Sequence, residues 1–258
     1  VLVDAPDADE EEDAQRVPTF CLDYKALAAA EQFLLARYTL HQQVYFHKTT
    51  RCVEKMIGKL LKAVSRHCEG GGEICQQTGL HAEHPLISFF GNVPEKQTEE
   101  AVKAVKEKEL LASYLLLDDV TVLGALKEMR AAQDPEIAGL ATRLMERNLY
   151  KTFDLASVGE DEGRQAMRGR RIEKDFADQI KSGSVIKDED ASISIYTQIG
   201  GDDERTHKKL HILVAGQPTE ITRLSALIAA LKDKKSFTRY YFENESDRES
   251  ARQPKGRS

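Results

Sequence analysis

No run of apolar residues in this 258-residue chain approaches the length of about 18 that spans a bilayer as a helix. Cysteine is scarce: Cys21, Cys52, Cys68 and Cys75 form no CxxC pair, and so few in a chain this long are not a disulfide framework. The first residues carry neither the basic region nor the apolar stretch of a secretory signal. Together these gaps lead us to expect a reducing, cytoplasmic setting. A surplus of basic charge is missing too, since 37 Lys and Arg face 43 Asp and Glu for a net charge of −6. The first sixteen residues, VLVDAPDADEEEDAQR, hold seven acids and one base, so this segment accounts for the deficit and the rest of the chain is balanced. A neutral body excludes a general electrostatic binder of nucleic acid. Internal repeats are also absent.

What is present is a long helical body followed by a small mixed module. Residues 1–19 read as an acidic tail too poor in apolar surface to order itself. From Asp23, a plausible N-cap, to about Arg66 runs one helical pattern with no proline and apolar residues at three- and four-residue spacing. At 1.5 Å per residue it would extend about 60 Å, so a break is expected, with Thr49–Thr50 as the candidate. Residues 67–95 read as loop. Further helices are expected over 98–117, after Asp118–Asp119, and from Asp134 with Pro135 in the first turn. A charged helix over 163–182 should end at Gly183. Beyond residue 184 the period changes: strands are predicted at 192–199, 208–215 and 236–243 with an amphipathic helix at 219–233. Residues 244–258 read as a second polar tail. The fold class is therefore mainly α, a helical region over 20–183, with a small C-terminal α+β module over 184–243.

Two features invite a chemical reading and favour a plain one. His67, Cys68, Cys75, His81 and His84 lie close in sequence, yet their spacings fit no common zinc finger or ribbon. The segment is read as a loop that happens to hold His and Cys. Arg164, Arg168, Arg170 and Arg171 have Glu173, Asp175 and Asp178 on the same helix, which suits a solvated, internally paired face better than a nucleic-acid contact.

The informative segment is Arg37–Arg51, RYTLHQQVYFHKTTR. At about 100° per residue on one continuous helix, Arg37, Lys48, His41 and Tyr45 share a stripe less than a quarter-turn wide. His47 and Arg51 lie on the adjoining stripe as an i, i+4 pair. Between Tyr24 and Arg66 there are eight Lys or Arg and two acids, Glu31 and Glu54. A bidentate guanidinium, a point-like ammonium, imidazoles and a phenol on a few turns are equipment for gripping a polyphosphate. The same spacing is also compatible with a basic solvated face.

FLLARYTLHQQVYFHKTTRCVEKMI resembles the HD-superfamily phosphohydrolases, particularly the deoxynucleoside triphosphate triphosphohydrolases (dGTPase-like enzymes). Their helix reads Arg-x-x-x-His-x-x-x-Tyr-x-His-Lys, matched here by Arg37, His41, Tyr45, His47 and Lys48. LLDDVTVLGALKEMRAAQDPEIAGLATRLMERNLYKTF (116–153) is similar to the family's two-helix segment ending at Arg147, Asn148, Leu149, Tyr150 and Lys151. The terminal strand–helix–strand module is similar to bacterial members as well. The resemblance implies that Arg37 contacts a substrate triphosphate and that His41 and Tyr45 line the same pocket. It implies for His47, Lys48, Arg51, Arg147 and Lys151 a place at a nucleotide-regulated interface between subunits, in a homo-oligomer. Phe46 stands where the eukaryotic subgroup has Gln near the base, so base selectivity does not carry over.

The resemblance also implies a divalent metal held by a His, a His-Asp doublet and a later Asp, all before the Arg-His-Tyr helix. This sequence has no His-Asp dipeptide and no His before His41. No catalytic residue is therefore assigned within it, and no metal ligand. The first expectation is a C-terminal part of a metal-dependent HD phosphohydrolase that acts on deoxynucleoside triphosphates and supplies phosphate-binding and assembly residues. The second is a non-catalytic nucleotide-sensing or oligomerisation module of the same descent.

Overall fold

The computed structural model of the chain describes residues 1–6, 16–69, 73–92, 108–158, 161–193, 209–233 and 235–253. Strands β1 (Leu2–Pro6) and β2 (Arg16–Asp23) come first. Helix α1 (Leu27–Leu40) then runs into a π-helical turn, His41–Tyr45. Next come α2 (Lys48–Glu69), α3 (Ile74–Thr78), α4 (Pro85–Phe90), α5 (Lys108–Leu115), α6 (Asp119–Met129) and α7 (Pro135–Met145). Strand β3 (Lys151–Asp154), α8 (Glu162–Asp175), α9 (Ala177–Ser182) and β4 (Val185–Ile193) follow. The last elements are β5 (His211–Val214), β6 (Gln217–Glu220), α10 (Ile221–Leu224), α11 (Ala226–Ala229), β7 (Lys235–Phe242) and α12 (Glu245–Arg252). The fold is mainly helical with a small α+β part, as the periodicity indicates.

Two compact units emerge, and neither is a continuous stretch. One comprises Val1–Thr50, Asp154–Gln165 and Asp188–Arg239; the other Arg51–Phe153, Ala166–Lys187 and Tyr240–Ser258. The sequential division expected near residue 184 does not coincide with them.

In the first unit a four-stranded sheet runs in the order β1–β2–β5–β6. β2 pairs antiparallel with β1, and parallel with β5 through Cys21 opposite His211. The segment expected as an unordered tail thus contributes two strands. Backbone pairing supplies the order that its composition could not, and the acidic run 7–15 lies outside the described residues. Helix α1 buries one stripe, Ala30, Leu34 and Tyr38 at i, i+4, i+8, against Ile193, Ile212, Ile221 and Ile228. The helix expected over 219–233 is two short pieces. Pro218 and Thr219 stay in the β5–β6 pairing, and Ser225 is extended, its hydroxyl accepting from the Ile228 amide at 3.2 Å.

The core of the second unit is built by α2, whose Cys52, Met56, Leu60, Ala63 and Val64 pack with Ala125, Leu126 and Met129 of α6 and Ile137, Leu140 and Ala141 of α7. Full burial of each large member is worth roughly 1.5–3 kcal/mol. Local chemistry sets the helix ends as the sequence indicates. Asp118 accepts from the Thr121 amide, and Asp134 accepts from the Glu136 and Ile137 amides with Pro135 beside it. The charged helix is broken at Phe176, whose ring packs 5.3 Å from that of Phe242, and ends at left-handed Gly183. The expected C-terminal polar tail is helical over Glu245–Arg252. It buries Ala251, and the carbonyls of Ala251 and Arg252 accept from Arg171 and Arg168. Strand positions 194–199, helix positions 98–107 and tail positions 254–258 lie outside the described residues.

Gly79 ends α3 at φ +75, where a Cβ would stand 2.6 Å from the Glu128 carbonyl oxygen. Gly79→Ala should cost about 1–3 kcal/mol in urea unfolding. Gly58→Ala, inside α2 with nothing within 4 Å of the new Cβ, should gain about 0.5–1 kcal/mol. Equal midpoints for the two variants would contradict this account.

Candidate functional site

The site residues read from the sequence gather at the end of α1. There the helix widens by one residue: the Phe46 amide donates to the His41 carbonyl, five residues back, at 2.8 Å. Phe46 then leaves helical geometry (φ −99, ψ 14), and His47 Nδ1 accepts from the Thr49 amide at 3.3 Å as α2 begins. The break therefore falls at 46–47, three residues before the expected Thr49–Thr50, because His47 serves as a local cap. A continuous stripe cannot cross that break. Arg37, His41 and Tyr45 remain together over about two turns, whereas Lys48 belongs to a new helix.

His41 takes the next step on the core-facing stripe after Leu34 and Tyr38, and is only 4% exposed. Its ring lies 5.0 Å from that of Tyr45 and 6.1 Å from that of Phe46. Burial, and then the positive charge of Arg37, hold its imidazole below the ordinary value, so it is neutral at pH 7. A neutral imidazole offers one donor and one acceptor nitrogen, yet Nδ1 has no hydrogen-bond partner among the described residues. Neither has the buried hydroxyl of Tyr38, on the same stripe. Leaving such an atom unsatisfied costs roughly 1–3 kcal/mol. Arg37 is half-buried beside them, its guanidinium lowered by burial but still cationic, and Tyr45 is half-exposed. Tyr38 is a member that the sequence reading missed. Its signal was the i, i+4 spacing from Ala30 and Leu34.

The residues expected at an interface are less closely grouped. His47 and Lys48 are exposed in the first unit; Arg51, Arg147 and Lys151 belong to the second. Arg51 does not form the expected i, i+4 stripe with His47. It is buried, with its Nη1 2.9 Å from Glu54. Arg147 is exposed and left-handed (φ 56) just past α7. Lys151 opens β3, and the Cys52 thiol donates to the neighbouring Tyr150 carbonyl at 3.5 Å. Burial pushes that thiol up to about 11.

A cavity of about 340 Å³ in the second unit is lined by Lys59, Glu136, Arg143, Tyr150 and Glu243 among others. Its charges are already engaged with one another. Lys59 lies 3.3 Å from Glu136 and donates to Tyr150 and Gly183, and Arg143 lies 3.2 Å from Glu243. Two histidines of the 67–84 segment are likewise engaged: His67 pairs with Asp134 at 2.6 Å, and His84 accepts from the Leu86 amide. Among the described residues no group of three or more His, Cys, Asp or Glu could hold a metal ion. The described residues therefore offer no donor set that fits the divalent metal the resemblance implies, and no chemical step is derived through one. No helix among these residues is long and apolar enough to cross a membrane.

The position of His41 makes stability depend on pH. Its folded-state pKa lies below the unfolded value of 6.5, so the unfolded chain takes up the proton first. Its contribution is complete above pH 6.5 and lost as the pH falls through the folded value. His84, also lowered by burial, acts in the same direction. The urea midpoint should fall between pH 7.5 and 5.5, and His41→Gln should flatten that dependence. An unchanged slope in the variant would refute the assignment.

The model of the HD associated region family matches residues 14–116 and again 96–240, most of the chain. The protein YwfO of Bacillus subtilis is 24% identical over 221 residues, covering 80% of this chain and 42% of YwfO. The crystal structure of a phosphohydrolase from Bacteroides thetaiotaomicron superposes with a TM-score of 0.61 at 20% identity, over 92% of this chain and 54% of that one. The chain thus spans about half the length of these relatives, and it shares the fold of that part of the phosphohydrolase. With the family model matched from residue 14 to residue 240, this chain belongs to the HD associated region family.

Proposed function

We propose that this chain carries the triphosphate-contacting face of a metal-dependent HD phosphohydrolase that cleaves deoxynucleoside triphosphates to nucleoside and triphosphate. The observation that supports the reading best is the buried, unsatisfied His41 Nδ1 set beside the Arg37 guanidinium and the Tyr45 phenol. A neutral imidazole can donate to a phosphate or sugar oxygen where an imidazolium next to Arg37 would be repelled. Arg37 supplies the forked charge that a phosphate oxygen pair accepts. Tyr45, half-exposed against the His41 ring, closes the same face with an apolar ring and a polar tip. Membership of the family and the phosphohydrolase fold lend the reading its reaction class.

In the same proposal His47, Lys48, Arg51, Arg147 and Lys151 serve nucleotide-linked assembly of a homo-oligomer. Exposed Lys48 at the start of α2 and exposed Arg147 in its left-handed turn are cations presented to solvent, and exposed His47 precedes Lys48. Arg51, held by Glu54, is the least available of the five.

Titration of the 258-residue chain with dGTP, followed calorimetrically, tests the phosphate face. Arg37→Ala should weaken binding by about 1.5–3 kcal/mol, tenfold or more. Lys25→Ala, on an exposed residue ahead of α1, should change it by less than about twofold. Equal affinities in the two variants would sink the proposal.

A further inference from the structure

We infer that Arg239 and Asp154 are positioning residues for the His41–Phe46 turn: a clamp from β7 and β3 that sets how His41 and Tyr45 are presented. The inference rests on the reading of that turn as the phosphate face, and it adds two residues distant in sequence to it.

A helix that stops inside a packed unit leaves carbonyl groups without their usual partners, and each needs a donor. At the end of the π-helical turn the His41 carbonyl is taken by the Phe46 amide. The Phe46 carbonyl is taken by Arg239 Nη1 at 2.6 Å, from 193 residues away. Arg239 is itself 8% exposed, unusual for an arginine, and a second nitrogen of its guanidinium is engaged as well. Its Nε donates to Asp154 Oδ2 at 2.7 Å, and its plane lies 5.2 Å from the Phe237 ring, two residues earlier on the same face of β7.

Asp154 is fixed in turn. Its other carboxylate oxygen accepts from the Ala156 amide at 3.0 Å, and its carbonyl accepts from the Ser157 hydroxyl at 2.6 Å. One oxygen caps the short 3-10 turn Leu155–Val158 and the other aims the guanidinium. A cation at a helix C-terminus also faces the negative end of the helix dipole. The clamp thus acts on Phe46, where the chain leaves helical geometry ahead of α2. It leaves the preceding residues, His41 and Tyr45, in the wide turn. Lysine could supply charge to the Phe46 carbonyl but not the fork that holds Phe46 and Asp154 together.

The test compares the parent 258-residue chain with Arg239→Ala, Arg239→Lys and Asp154→Asn, each at temperatures below its own unfolding transition. Two quantities are read: dGTP affinity, and the NMR titration of the His41 ring, assigned by its loss in His41→Gln. Arg239→Ala should weaken dGTP binding at least tenfold and move the His41 midpoint up toward the ordinary imidazole value, as the turn opens to water. Arg239→Lys should fall between parent and Arg239→Ala on both. Asp154→Asn should shift both in the same direction by less, and serves if Arg239→Ala does not fold. A lower melting temperature with the His41 midpoint unchanged would overturn the inference, since a merely structural contact gives that pattern. If the parent chain binds no dGTP, the phosphate-face reading fails, and the clamp still stands or falls on the His41 titration.

Discussion

Between Leu40 and Lys48 the helical hydrogen-bonding pattern stops and starts again, and a stop inside a packed unit leaves main-chain groups that need partners. Three devices meet that need. The chain widens by one residue so that the His41 carbonyl is met from Phe46, a side chain from another strand meets the Phe46 carbonyl, and the His47 ring meets the first free amide of the next helix. The candidate site, Arg37, His41 and Tyr45, lies on the residues leading up to that stop. Its geometry follows from where the helix stops, and the stop follows from these three bonds.

The same stop bears on the electrostatics. Because α1 turns its Ala30–Leu34–Tyr38 stripe into the core, His41 comes next on the buried side, and Arg37 stays half-buried at the margin. Burial and a neighbouring cation work in the same direction on the imidazole, keeping it uncharged. In the second unit the cations are spent differently. Lys59, Arg66 and Arg143 are tied to Glu136 and Glu243, so its cavity is internally compensated.

Much of the fold was legible because its signals are local. Asp118, Asp134 with Pro135, and Gly183 act within three residues of where they stand, and α2 announces its buried face by spacing alone. The parts that were not legible depend on partners far along the chain. β1 and β2 are ordered by ladders whose stability their composition does not show, and α12 is a polar helix held by Arg168 and Arg171. In the site, Arg37, His41 and Tyr45 followed from helical periodicity. Lys48 did not stay with them, because the break is set by His47 and by Arg239, a cation among the aromatic residues of SFTRYYF. The Arg51–Glu54 pair was visible at i, i+3 spacing and was passed over for the i, i+4 partner.

The parallel pairing of β2 with β5 places Cys21 beside His211, with β1 on one flank and β6 on the other. Such a contact closes a loop that contains most of the chain, whereas α6 and α7 are neighbours joined by a short turn. On a ribosome the helical core of the second unit has its residues in hand long before the four-stranded sheet can be completed. The contact order of the two units differs accordingly, and non-local pairing is the slower step. Until residues near 211 emerge, β2 is an edge strand with open hydrogen-bonding groups, and the exposed Phe20 beside Cys21 gives that edge an apolar flank. That interval ends when β5 supplies the parallel partner of β2.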